Sequence, residues 1–254
     1  MALDITDAGL ADVGIFGGSG LYRLLDDVTE VVVDTPYGPP SNPLHIAKVG
    51  DVRVAFLARH GAHHEFPAHT VNYRANVWAM KHAGVKAVFA PCSAGSLQSS
   101  IAPGDFVVVD QFVDRTYGRR DTFFDGPGAH HTAMAHPYHP ELRQRLIDAC
   151  RAGGVTVHEQ GTVVVINGPR FSTVAESRWF GQMGWSVVNM TQYPEVALCN
   201  EAELPVAGVA LVTDYDAGLE DDPSVPHVTM EQVFAFFDSN VHRVRDVLFR
   251  AVRS

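Results

Sequence analysis

Two aspartates near the end of the chain are the strongest candidates for acid–base chemistry. Asp214 and Asp216 follow an apolar segment, 206–212, whose composition predicts a buried strand. Ligands of α/β folds bind at the carboxyl ends of such strands, and side chains at positions i and i+2 face the same way. A carboxyl group kept protonated in a water-poor pocket can donate a proton to a leaving group. The alternative is a pair of turn-forming aspartates in a surface loop.

A second candidate segment, 167–173, brings an aromatic ring, a guanidinium and two hydroxyls together. Phe171 offers a face that can stack on a nucleobase, and Arg170 offers a fork of donors. Ser172 and Thr173 stand where a helix start has free N–H groups, and the spacing predicts Ser172 as the N-cap, paired with Ala175. The alternative for Phe171 is an ordinary core position.

Two further segments have the composition of anion sites. The turn Gly17-Gly18-Ser19-Gly20 follows a predicted strand at 13–16, exposes backbone N–H groups and adds the Ser19 hydroxyl. Its spacing matches neither a dinucleotide-binding turn nor a Walker loop, and a tight turn without a ligand is the alternative.

Arg59-His60-Gly61-Ala62-His63-His64 follows the predicted strand 52–57. His60 and His64 have the spacing of metal ligands on a helix, but Gly61 disfavours a helix there and only Glu65 is a nearby carboxylate. We therefore predict no metal. A structural or solvated histidine cluster and an anion-facing Arg–His pair remain the alternatives.

Composition narrows the class of protein. The net charge of −10 and a lysine set limited to Lys48, Lys81 and Lys86 disfavour nucleic-acid binding. The N-terminal residues do not resemble a signal peptide, and no apolar run reaches membrane-spanning length, so we expect a cytoplasmic protein without membrane contact. The cysteines, Cys92, Cys150 and Cys199, lack metal or disulfide spacing and are expected to be buried thiols.

Alternating strands and helices predict one α/β domain, 1–254, with three layers and helices covering a largely buried sheet. The predicted strands are 13–16, 52–57, 87–90, 106–109, 162–166, 187–190 and 206–212, and the predicted helices are 71–83, 140–152, 194–203 and 230–252. Residues 93–96 are expected to form a loop, and the acidic run 220–222 another.

In combination these motifs resemble the trimeric purine nucleoside phosphorylases, and within them the 5'-methylthioadenosine phosphorylases. The resemblance runs from Gly14 to about Val252 and is carried by Gly17-Gly18-Ser19-Gly20-Leu21, Arg59-His60-Gly61, Val71-Asn72-Tyr73-Arg74-Ala75-Asn76, Pro103-Gly104-Asp105-Phe106, Gly168-Pro169-Arg170-Phe171-Ser172-Thr173, Ala175-Glu176-Ser177, Asn189-Met190-Thr191 and Thr213-Asp214-Tyr215-Asp216. It implies a single domain with a central mixed β-sheet flanked by helices.

The resemblance also implies a function in purine salvage: phosphorolysis of methylthioadenosine, or a related 5'-modified adenosine, to adenine and a pentose 1-phosphate. Phosphate is then the co-substrate, with no metal or organic cofactor, and the assembly is a homotrimer or a dimer of trimers. The implied catalytic residues are Asp214 and Asp216. The implied phosphate-binding residues are Ser19, Arg59, His60, Cys92, Ser93 and Thr191, and the implied nucleoside-binding residues are Phe171, Ser172, Asn189, Met190, His64, Val233 and His131, the last from a neighbouring subunit.

Some positions depart from the family pattern. Asn167 stands where many relatives have Glu, and Val174 where they have Arg, so each removes a charge near the site. A phosphorylase of 6-oxopurine nucleosides, such as inosine or methylthioinosine, is the main alternative. Asp214 and Asp216 favour adenine, because a 6-amino group needs an acceptor. A nucleoside sensor without turnover would leave the anion site unused.

Overall fold

The computed structural model describes residues 3, 5–17, 27–217, 225 and 229–254. Its strands are β1 (Val13–Gly17), β2 (Thr29–Val31), β3 (Leu44–Val49), β4 (Val52–Ala58), β5 (Ala87–Ser96), β6 (Phe106–Val108), β7 (Gln111–Arg115), β8 (Val157–His158), β9 (Thr162–Ile166), β10 (Val187–Asn189) and β11 (Val206–Tyr215). Its helices are α1 (Tyr73–His82), α2 (Pro140–Ala152), α3 (Val174–Gln182), α4 (Gln192–Glu201) and α5 (Met230–Arg253).

The strands of the described residues form one mixed sheet, in which eight strands follow the order β2-β3-β4-β1-β5-β10-β9-β7. β1 runs parallel to β4 and β5, whereas β10 runs antiparallel to β5. β11 runs parallel to β5 and also pairs with β6. The long strand β5 therefore contacts three neighbours, and its carboxyl end becomes a meeting point for several loops.

Helices cover both faces of the sheet. On one face, α1 and α4 pack their apolar side chains against β5 and β11; on the other, α2 and α5 do so. Their amphipathic spacing explains this arrangement, since Leu142, Leu146 and Ile147 of α2 lie on one stripe and are buried. The predicted three-layer α/β fold with a mixed central sheet is confirmed.

Most predicted elements are found close to their predicted bounds, but two strands are longer. β5 continues to Ser96, so the prediction of a loop at 93–96 is wrong, and β11 continues to Tyr215. Small and polar side chains there looked like a turn, yet the backbone of both strands stays paired. The short or edge strands β2, β3, β7 and β8 were not predicted. Ser19 and the acidic run 220–222 lie outside the described residues.

Among the described residues, no helix combines the length and apolar character needed to cross a membrane.

Candidate active site

Asp214 is placed by the parallel pairing of β11 with β5. The ladder matches Val212 with Ala94 and Asp214 with Gly95, so Thr213 is an extra residue and forms a bulge. Val188 of β10 pairs with Gly95 from the other side. Three strands therefore converge on Gly95, beside the Asp214 carboxyl group.

Gly95 is needed for this close approach. A Cβ at that position would stand 2.9 Å from Asp214 Oδ1, and 3.3 Å from both Asp216 Cβ and Val188 Cγ1. Any larger residue would displace the carboxyl group that the sequence identifies as the acid. Gly95 was not among the predicted site residues, because a lone glycine in an expected loop has no distinctive pattern.

Both carboxyl groups are disposed toward protonation. Burial raises the pKa of Asp214 to about 6, opposed by the Thr213 hydroxyl, which donates to Oδ2 at 2.7 Å. Burial also raises the pKa of Asp216, and the hydroxyls of Ser177 and Ser172 oppose that rise. A carboxyl group with a pKa near the working pH is suited to general acid catalysis. The surface-loop alternative for the two aspartates is wrong.

Several buried polar atoms of the predicted site residues make no hydrogen bond of good geometry within the described chain. They include Ser172 Oγ, Asn189 Oδ1 and Asp216 Oδ2. An unpaired buried polar atom is costly, and such atoms in a native structure mark a place that a ligand or water can satisfy. Ser172 and Asp216 belong to two segments whose residues predict a ligand site, and Asn189 is a residue that the family resemblance implies for nucleoside binding. We take these three residues as candidate ligand contacts.

The segment after β9 approaches the segment after β10 very closely. Gly168, at φ 69°, lies so near Met190 that a Cβ there would be 2.6 Å from the Met190 sulfur. Phe171 remains 38% exposed and is not a core residue, which rules out its structural alternative. Met190 and Phe171 therefore provide apolar and aromatic surface beside the polar group of Ser172 and Asn189.

Arg59 lies at the end of β4 in a buried ion pair rather than free. Its Nε and Nη2 donate to the two carboxylate oxygens of Glu195 at 2.6 and 2.7 Å. Nη2 also donates to the Phe16 carbonyl and Nη1 to the Pro91 carbonyl. Burial alone would lower the pKa of Arg59, but Glu195 outweighs it and the pKa is raised. One Nη1 hydrogen is left without a partner among these contacts.

His60 is neutral near physiological pH, because burial and the neighbouring Arg59 charge lower its pKa to about 3. Nδ1 lies 2.8 Å from the Phe66 carbonyl, which can only accept, so Nδ1 carries the proton and Nε2 has a free lone pair. The ring stacks on His64, whose ring contacts Phe234 at the start of α5. The contact of His64 with Phe234 brings α5, and with it Val233, toward this end of the sheet.

The remaining predicted phosphate residues are Cys92 and Ser93, which as neighbours on β5 face opposite sides of the sheet, and Thr191, which follows β10. Cys92 is buried, burial raises its pKa to about 11, and it therefore stays a thiol. Thr191 is buried at the start of α4, where its hydroxyl makes no capping bond and lies 3.5 Å from Asn189 Nδ2. Ser93 is half-buried on β5. Their hydroxyl and thiol groups are uncharged donors.

Two local predictions for the segment before α3 are wrong. Thr173, not Ser172, is the N-cap, and it forms a full capping box with Glu176. Arg170 forks onto Glu176 at 2.8 Å for each bond, so its donors serve the helix start and not an anion. The cap shifts by one residue because Glu176 then occupies the N3 position. This shift leaves the Ser172 hydroxyl available.

His131 is exposed and lies in the loop between β7 and α2. Within the described residues no group of three or more His, Cys, Asp or Glu side chains could hold a metal ion. Residues that the sequence did not single out include Gly95, Ser177, Glu195 and Arg119.

The chain belongs to the Phosphorylase superfamily, whose sequence profile matches residues 12–253. It is similar to the S-methyl-5'-thioadenosine phosphorylase of Mycolicibacterium smegmatis, with 51% identity over 95% of this chain and 90% of that protein. A purine nucleoside phosphorylase of Streptomyces coelicolor is 49% identical over 95% of this chain and 88% of its own length.

Solved structures give the same result. Methylthioadenosine phosphorylase from Schistosoma mansoni, in complex with adenine, is similar with a TM-score of 0.90 and 42% identity, over 96% of this chain and 91% of that one. A variant of that protein in complex with methylthioadenosine has a TM-score of 0.87 and 41% identity, over 96% and 91% of the two chains. The family resemblance seen in the sequence is confirmed.

Proposed function

We propose that this protein catalyses the phosphorolysis of 5'-methylthioadenosine to adenine and 5-methylthioribose 1-phosphate. The observation that carries the proposal is the pair Asp214 and Asp216, largely buried at the carboxyl end of β11 with raised pKa values, with the Ser172 hydroxyl beside Asp216. The names of the relatives from Mycolicibacterium smegmatis and Schistosoma mansoni support this substrate.

In the proposed reaction Asp214 is the acid. Adenine leaves poorly as an anion, so transfer of the Asp214 proton to N7 lets the electron pair of the broken glycosidic bond remain on a neutral base. Covering the pocket with a purine removes more water from Asp214 and raises its pKa further. Asp216 accepts a hydrogen bond from the exocyclic amine, and Phe171 packs against the base.

Phosphate is the proposed nucleophile. As the bond from C1' to the base breaks, the sugar gains oxocarbenium character, and a phosphate oxygen forms the new bond to C1'. The remaining Nη1 hydrogen of Arg59 and the hydroxyls of Ser93, Thr191 and Ser19 donate to phosphate oxygens, with Cys92 beside them. Neutral His60 instead accepts at Nε2, from a protonated phosphate oxygen or a sugar hydroxyl. No metal or organic cofactor is needed for these steps.

The 5' end of the substrate is proposed to lie between Val233, His64 and the His131 of a neighbouring subunit in a homotrimer. The exposed position of His131 is compatible with a role across such an interface. A thioether buried against Val233 keeps its apolar contact, whereas a hydroxyl there loses water, so methylthioadenosine is preferred over adenosine by about 1 to 3 kcal/mol.

The test supplies methylthioadenosine, adenosine, inosine and methylthioinosine to the purified protein, with and without phosphate, and identifies the released base. We expect phosphate-dependent release of adenine, fastest from methylthioadenosine. Equal release without phosphate would indicate a hydrolase, and faster release of hypoxanthine would support the 6-oxopurine alternative.

Asp214→Asn tests whether Asp214 is the acid. It keeps the size of the side chain but has no acidic proton, so adenine release should fall sharply while the melting temperature does not fall. Full activity of this variant on methylthioadenosine would exclude Asp214 as the acid. Activity of a monomer in size-exclusion chromatography would exclude the shared site.

A further inference from the structure

Arg119 joins three segments that carry site residues. It lies between β7 and α2 and donates to the carbonyls of Met190 and Tyr193 through Nη1, at 2.9 and 2.5 Å. Its Nη2 donates to the carbonyl of Asn167 at 2.8 Å, and its Nε to the Asn167 side-chain oxygen at 3.3 Å. The guanidinium therefore contacts the backbone of Met190, the residue before Thr191.

Within the described residues, no carboxylate contacts this guanidinium directly. Every acceptor named above is a neutral oxygen, and in the described part of the chain no ion pair includes Arg119. The carboxylate of Asp114 acts on it only at a distance, since Asp114 is exposed and binds the Thr116 N–H. The guanidinium of Arg119 also lies over the Tyr73 ring, with its Cζ 5.5 Å from the ring centroid.

The other two basic residues predicted for the anion site, Arg59 and His60, contribute no net positive charge. Arg59 shares a buried bidentate pair with Glu195, so the two together carry no net charge. His60 is neutral near physiological pH, as its pKa is about 3. Burial raises the pKa of Tyr73, and the charges of Arg119 and Arg59 both oppose that rise, so both guanidinium groups act on the same ring. Among the described residues, Arg119 is thus a cation near this end of the sheet that no carboxylate contacts directly.

We propose that Arg119 supplies the positive potential that holds phosphate in this site, acting from behind Met190 and Thr191 without touching the anion. Arg59 then contributes a directed donor, and Arg119 contributes the charge. An anion in a partly dry site responds to a cation several ångströms away, because little water screens the interaction. This inference rests on the proposed phosphorolysis.

The proposal can be tested by changing charge without changing shape. Asn167→Asp is nearly isosteric, keeps an acceptor for Arg119 Nε, and places a carboxylate where the amide oxygen now lies 3.3 Å from it. We expect the KM for phosphate to rise about threefold to tenfold, with little change in the KM for methylthioadenosine. Phosphate should also give a smaller rise in melting temperature, a readout that does not depend on turnover.

Gln160→Glu is the matched control. Gln160 is exposed before β9, at the end of the strand opposite Asn167, and the substitution adds the same charge to the surface. Its phosphate KM should equal that of the unaltered protein.

A second pair of variants separates charge from hydrogen bonding. Arg119→Lys keeps the charge but loses the fork, whereas Arg119→Met loses both. The phosphate KM should rise more in Arg119→Met than in Arg119→Lys, and an equal rise would overturn the assignment of charge to Arg119. An unchanged phosphate KM in Asn167→Asp would overturn it as well. Failure of the proposed function is distinguishable, because the unaltered protein would then release no base in response to phosphate.

Discussion

Gly95 and Asp214 face each other across the β5–β11 ladder with no room for a side chain between them. We expect Gly95→Ala to push the Asp214 carboxyl group away from its present position. A displacement of about 1 Å at a catalytic group can lower turnover about 100-fold. Steady-state kinetics should show that loss in kcat/KM, with the melting temperature measured alongside. A fully active variant would mean that the carboxyl group is placed otherwise in the working enzyme.

Ionisation of Asp214 should make folding stability depend on pH. Its pKa rises from 3.8 in the unfolded chain to about 6 in the fold, so the protonated form is favoured by folding. The stabilising contribution is complete below about pH 4 and is lost as the pH rises through 6. Asp214→Asn cannot ionise, and it should be more stable than the parent by about 1 to 3 kcal/mol at pH 8, and by less at pH 5.

Urea unfolding at pH 5, 6 and 8 measures this difference. Asp148→Asn, on the exposed side of α2, is the comparison, since its carboxylate stays in water and the change should matter much less. An advantage of Asp214→Asn that shrinks at high pH would contradict the assignment.

The ion pair of Arg59 with Glu195 should be essential to the fold as a pair. Glu195→Gln leaves a buried guanidinium without its counter-charge, and we expect unfolding free energy to fall by about 3 to 5 kcal/mol. The double variant Arg59→Met with Glu195→Leu should recover much of that stability while binding phosphate poorly. Chemical denaturation measures the first effect and phosphate titration the second. If Glu195→Gln lowered the unfolding free energy by no more than the loss of a surface ion pair does, the buried pair would not be essential to the fold.

Ser172 and Thr173 are neighbours with separate roles, and alanine substitutions should separate them. Thr173→Ala removes the α3 cap and should cost about 1 kcal/mol in stability. Ser172→Ala removes a hydroxyl that caps no helix and lies beside the Asp216 carboxyl group, so stability should fall less than in Thr173→Ala while adenine binding weakens. Thermal unfolding and calorimetric titration with adenine compare the two. The reverse pattern would restore Ser172 as the cap.

The sequence predicted α2 and β9 at their observed bounds, because apolar spacing and a flanking Gly153-Gly154 pair mark them clearly. It did not predict the pairing of Ser96 and Gly95 into β5, since small residues in a strand look like a turn until their partners are known. Asp214 and Asp216 were predictable from local pattern. Glu195 was not, because its partner is 136 residues away and only the folded chain brings them together.

The extra residue at Thr213 separates two tasks of one strand. Upstream of the bulge, residues 206–212 are buried throughout and serve the core; beyond it, Asp214 and Asp216 serve the ligand site. Apolar replacements upstream, except at Gly208, where a Cβ would stand 2.5 Å from Gln192 Oε1, therefore leave the direction of the carboxyl groups unchanged. An insertion or deletion between 212 and 216 would instead turn both of them at once. The apolar part of this strand therefore tolerates variation in evolution or design, whereas positions 213–216 tolerate no change in length.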